Sequence, residues 1–137
     1  MKIITISREF GSGGREIGKR LADQLGVDYY DKEIITAIAG KKGLDENYVF
    51  VCADMESKIR RCMERAAKDE NLSRKEMERK IRSIDKNRAE VREIITHKGW
   101  RVHTSYHLTV NATDWNLKKL TSAVAAFAES WFRRTNP

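Results

Sequence analysis

The stretch "KIITISREFGSGGREIGKRLADQLG" near the N-terminus limits the folds open to this chain more than any other segment. Residues Lys2 to Ser7 are largely β-branched and show no polar alternation, the pattern of a short strand buried on both faces of a parallel sheet. From Arg15 onward Ile17, Leu21, Ala22 and Leu25 recur at helical spacing, and Gly26 follows as a stop. Between them Gly11, Ser12, Gly13 and Gly14 form the hinge of a strand, glycine loop, helix unit. Glycine lets backbone N–H groups approach an anion closely, and the first turn of a helix carries partial positive charge. The hinge therefore reads as a phosphate-binding loop or, alternatively, as a tight turn that holds no ligand.

The remainder of the chain alternates in the same way. Val27 to Tyr30 reads as a short extended piece, followed by a helix that Asp31 caps and that ends near Gly40 to Gly43. Tyr48 to Ala53 is the next apolar strand, and Asp54 caps a helix with Met55, Ile59, Cys62, Met63 and Ala66 on one face. Ser73 with Glu76 matches a capping box that opens a longer helix. The apolar seam of that helix runs Met77, Ile81, Ile84, then Arg88, then Val91 and Ile95. An arginine within an aliphatic seam is costly to bury unless an anion meets it, so Arg88 is either paired with a carboxylate such as Asp85 or directed at a ligand. "GWRVHTS" is a polar turn, "YHLTVNA" a strand, and Trp115 to Arg134 a helix whose seam of Leu117, Leu120, Val124, Phe127 and Trp131 reads as a core face. Strands alternating with helices predict a parallel sheet wrapped by helices.

Composition narrows the functional classes. A length of 137 residues with 40% hydrophobic content suits one domain with one core. No apolar run is long enough to span a membrane, and Arg8 and Glu9 interrupt the N-terminal apolar stretch before it could act as a secretory signal. A cytoplasmic protein is expected. Cys52 and Cys62 form neither a disulfide framework nor a metal-ligand cluster, and no protein metal site is predicted. The net charge of +7 is concentrated between Met55 and Lys98, where 14 Lys and Arg face 9 Asp and Glu. Such a stretch is a solvated surface, a nucleic-acid footprint or a set of arginines aimed at small phosphorylated ligands. Interleaved glutamates and the lack of aromatic residues among the arginines disfavour nucleic acid.

Against the phosphate-loop pattern G-x-x-x-x-G-K-[ST], Gly14 takes the second glycine, Arg15 the lysine, Glu16 the hydroxyl and Glu9 the first glycine. The surrounding strand and helix supply the required context, and arginine can hold phosphate bidentately. The blocks "ISREFGSGGREIGKRLADQLG", "YYDKEIITAIA", "FVCADMESKIRRCMER", "IRSIDKNRAE" and "YHLTVNAT" together resemble, in order, the cytidylate kinase-like family of P-loop nucleoside monophosphate kinases. The resemblance implies a three-layer α/β P-loop kinase with a parallel sheet flanked by helices and an arginine-rich helical lid. It would be a single domain over 1–137, with its core in 1–54 and 106–137 and its lid at about 55–98.

The implied activity is transfer of the γ-phosphoryl of ATP, with Mg²⁺, to CMP, dCMP or a related nucleoside monophosphate. Gly11, Ser12, Gly13, Gly14, Arg15 and Glu16 would then hold the cofactor, and Arg15, Arg60, Arg61, Arg88 and Asp85 would serve the transfer. Asp31 would be the retained acceptor residue, and Asn111 to Thr113 would lie near the adenine. The chain departs from the family where a monophosphate-binding insert would lie, since only "LDENY" stands between Gly43 and Val49. A nucleotide-binding protein without turnover is therefore the first alternative, and a basic nucleic-acid module the second. A homo-oligomer is left open.

Overall fold

A computed structural model describes residues 2–30, 45–66 and 70–135. Strand β1 spans Lys2–Arg8, helix α1 Gly14–Leu25, strand β2 Asp45–Cys52, helix α2 Met55–Arg65, helix α3 Arg74–Thr96, strand β3 Leu108–Asn111 and helix α4 Leu117–Arg133. Among the described residues the three strands form one parallel sheet in the order β1, β2, β3. Ser7 lies opposite Phe50, and Val51 opposite Val110. This is the α/β arrangement expected from the alternation of strands and helices.

The period of two along β2 sorts its side chains between two cores. Val49 and Val51 join Ile17 and Leu21 of α1 and Leu120, Val124 and Ala125 of α4. Phe50 points to the opposite face and meets Trp100 edge-on and Tyr106 stacked, with Ala89 of α3 beside them. Helices therefore flank the sheet on both sides. A third cluster of Ile59, Met77 and Ile81 joins α2 to α3 and takes in Phe10 of the glycine loop.

The caps fall where the sequence places them. The Asp54 carboxylate accepts from the Ser57 amide, and Ser73 with Glu76 forms the full reciprocal capping box. Asn116 caps α4, so the helix begins at Leu117 instead of Trp115, which lies outside it and is exposed. Strand β2 begins at Asp45, earlier than the expected start at Tyr48, and Asp45, Glu46 and Asn47 of "LDENY" pair with Lys2, Ile3 and Ile4. Val27 to Tyr30 carry no regular structure, and the helix expected to follow from Asp31 lies outside the described residues.

The seam of α3 also differs from expectation. Its buried residues are Met77, Ile81 and Asp85, whereas Val91, Ile94 and Ile95 are exposed. Steps of four carry the inward face from Ile81 to Asp85 and onward to Ala89, so the second half of α3 turns Asp85, Arg88 and Arg92 toward the end of β1. The Phe10 amide, Arg8 O and Ser7 Oγ at that strand end bond to Asp85, Arg88 and Arg92.

Candidate phosphate-binding site

The glycine loop begins where the sheet ladder is still engaged, because the Glu9 amide donates to Val51 O at 3.0 Å. Ser12 N then donates to Glu9 O at 3.2 Å, and the Ser12 hydroxyl accepts from Gly14 N at 3.3 Å. Gly11 and Gly13 sit at φ of +78° and +88°, the left-handed region that side chains disfavour. Gly13 is the N-cap of α1. The two turns deliver the chain directly into the first turn of the helix.

Space as well as backbone angle demands glycine here. A Cβ on Gly11 would lie 2.7 Å from Cys62 Sγ and 2.9 Å from Lys58 O, and one on Gly13 would lie 2.7 Å from the Leu117 methyls. Helix α2 and the start of α4 thus seat directly on the loop. Gly11→Ala is expected to lower folding stability by about 2–4 kcal/mol, combining left-handed backbone strain with overpacking against a main-chain carbonyl. Urea unfolding would check this, and a loss below about 1 kcal/mol would mean that α2 does not rest on the loop.

Beneath the loop lies a buried cluster of opposite charges. Lys58 Nζ stands 3.4 Å from Glu9 Oε1 and 3.1 Å from Asp85 Oδ2. The Arg101 guanidinium reaches Glu9 Oε2 at 2.7 Å and Asp85 Oδ2 at 3.7 Å. Each carboxylate also receives a backbone amide, Ala53 N to Glu9 at 3.2 Å and Phe10 N to Asp85 at 2.7 Å. The cluster fastens α2, α3, the end of β2 and the glycine loop at one point.

The residues singled out in the sequence divide among different tasks. Arg61, buried, donates to Ser12 O at 2.8 Å and to Ala112 O at 2.7 Å, joining the loop to the end of β3. Burial, followed by repulsion from Arg60, pushes its pKa down. Arg88 donates to Arg8 O at 3.2 Å and lies 5.5 Å from the Phe10 ring centre. Burial, followed by the nearby Arg8, lowers its pKa also. No ion pair joins Arg88 to Asp85, whose partners are Lys58, Arg101 and the Phe10 amide.

Arg15 is exposed at the start of α1, and Arg60 lies at the surface 3.7 Å from Asp114. Glu16 pairs with Arg20 at 3.3 Å and with Arg65 at 3.7 Å. Asp31 lies outside the described residues. Asn111 Oδ1 accepts from Thr113 N, and the Thr113 hydroxyl from Asp54 N, which orders the loop after β3.

Sequence reasoning missed Glu9, Lys58 and Arg101. The only signal was Glu9 in a glycine position of the loop pattern. Among the described residues no group of three metal-ligating side chains converges. Glu16 and the buried carboxylates are engaged by cations, so the described side chains do not fit a Mg²⁺ site.

The model of the cytidylate kinase-like family matches residues 3–49 and 48–114. The chain belongs to the cytidylate kinase-like family. The match comes in two segments that meet at Tyr48 and Val49, beside the "LDENY" stretch where the family's insert is expected. A comparison with curated proteins finds no match. Among solved structures, the chain is similar to an uncharacterized protein from Eubacterium ventriosum ATCC 27560 with a TM-score of 0.81 and 21% identity, covering 95% of this chain and 99% of that one. That likeness shows the fold, at nearly equal length in the two chains. Among the described residues no helix is long and apolar enough to cross a membrane.

Proposed function

We propose that this cytidylate kinase-like chain binds the phosphates of a nucleoside triphosphate such as ATP at Gly11 to Arg15. The observation that carries the reading is the pair of left-handed glycines, Gly11 and Gly13, that turns the backbone into the first turn of α1. The amides of that turn have no acceptors within the helix, and the helix end favours negative charge. The Ser12 hydroxyl on Gly14 N marks an acceptor position that a phosphate oxygen would take over. Arg15, exposed at the start of α1, adds a cationic side chain next to the loop. Mg²⁺ would arrive with the nucleotide, held by its phosphates and water, and would offset their charge.

A second reading is phosphoryl transfer from ATP to CMP, dCMP or a related monophosphate. Its support is Arg88, a half-buried guanidinium beside the loop whose hydrogen bond goes to a neutral carbonyl. Transfer requires positioned reactants and neutralisation of the charge on the transferred group, which arginines supply. Two measurements separate the readings: ATP affinity by calorimetry, and ADP release in the presence of CMP, dCMP or UMP. ATP binding without acceptor-dependent ADP supports a binding protein, and acceptor-dependent ADP supports a transferase. A folded protein with no ATP affinity would overturn both.

A further inference from the structure

One helical turn beyond Arg88, Arg92 has no part in the phosphate loop. Its NH1 donates to Ser7 Oγ at 3.2 Å, and its guanidinium carbon lies 5.0 Å from the Tyr106 ring centre. Its Nε is buried and meets no hydrogen-bond partner. Arg88 and Arg92, one helical turn apart, donate to successive residues of β1, Arg8 O and Ser7 Oγ, so both guanidinium groups reach the same end of the strand. Among the described residues neither fork has a carboxylate within ion-pair distance, whereas eight other arginines, Arg101 at the buried Glu9 and Asp85 among them, do pair with acids. Two half-buried guanidinium groups without a direct ion pair are costly unless an anion joins them, and for Arg88 the nearby Asp85 offsets the burial only in part.

We propose that Arg92, with Ser7, forms an anion subsite next to Arg88, and that together they clamp a diphosphate group. Arginine suits this because each planar fork can present two parallel N–H bonds to the oxygens of one phosphate. The aromatic faces of Phe10 and Tyr106 hold the forks in place, and the buried Nε of Arg92 gains an acceptor. The site is distinct from Gly11 to Arg15 and stands without the loop reading. Its ligand is either free pyrophosphate or the diphosphate of a nucleotide.

The test titrates pyrophosphate and orthophosphate into the intact chain at matched ionic strength without nucleotide, so that failure of ATP to bind the loop leaves the result untouched. Pyrophosphate is expected to bind at least about tenfold more tightly than phosphate, the gain of a second charge-assisted contact. Arg92→Gln should abolish that preference, and Arg92→Lys, which keeps the charge but loses the fork, should restore it only in part. CDP binding more tightly than pyrophosphate would identify a nucleotide as the source, and equal affinity would identify free diphosphate. No preference in the unaltered chain overturns the proposal even if the variants fail to fold, and so does a preference that Arg92→Gln leaves unchanged.

Discussion

Lys58→Met is expected to remove about 3–5 kcal/mol of folding free energy, the scale of breaking a buried ion pair from one side. The Lys58 side chain is 5% exposed, and the two carboxylates it separates, on Glu9 and Asp85, are 7% and 3% exposed. Without the ammonium those carboxylates face one another in a poorly hydrated space. Arg101 is the remaining cation, but its side chain is 54% exposed and so better screened. The Phe10 and Ala53 amides continue to donate to Asp85 and Glu9, which places the loss toward the lower end of the range. Arg74→Ala provides the contrast, because its pair with Glu56 is exposed on both sides and should contribute no more than about 1 kcal/mol.

Denaturant unfolding of both variants decides the matter. Adding Asp85→Asn to Lys58→Met should recover part of the loss, since it removes one uncompensated charge. Equal effects of Lys58→Met and Arg74→Ala would show that the cluster does not hold the loop.

The parts of this fold legible in the sequence are those fixed by neighbours in the chain. The apolar run before the loop, the spacing of Ile17 and Leu21, the Asp54 cap and the Ser73–Glu76 box each depend on residues within a few positions, and each is present. The cluster of Glu9, Lys58, Asp85 and Arg101 could not be read in this way, because its members lie on four separate segments. Their union depends on how α2 and α3 lean on the loop. Arg88 shows both sides of this limit. Its position in the seam marks it as unusual, but the seam that the spacing predicts continues through Val91 and Ile95, which are exposed. Aliphatic spacing of three and four fits two neighbouring helix faces equally well. The choice fell to the face that gives the Phe10 amide, Arg8 O and Ser7 Oγ their partners.

Arg61→Ala is expected to weaken ATP binding at least tenfold while leaving any turnover of bound nucleotide within a few fold. The reason is where its donors go. Both reach main-chain carbonyls, Ser12 O in the glycine loop and Ala112 O after β3, at 2.8 and 2.7 Å. A side chain so engaged sets the distance between the loop and the β3 end before any ligand arrives. A group that stabilised only the transition state would give the reverse result, a fall of roughly 10²-fold in the catalytic constant with ATP affinity preserved. The truncation also strips two buried carbonyls of a charged donor, so stability should fall by about 2–4 kcal/mol. Arg61→Lys sharpens the comparison, since one ammonium retains the charge but cannot span both carbonyls as the guanidinium fork does. If Arg61→Lys restores stability and ATP affinity in full, charge alone matters at this position and the bridging role is wrong. If both remain low, the fork itself holds the loop, and Arg61 positions the phosphate site instead of acting on the transferred group.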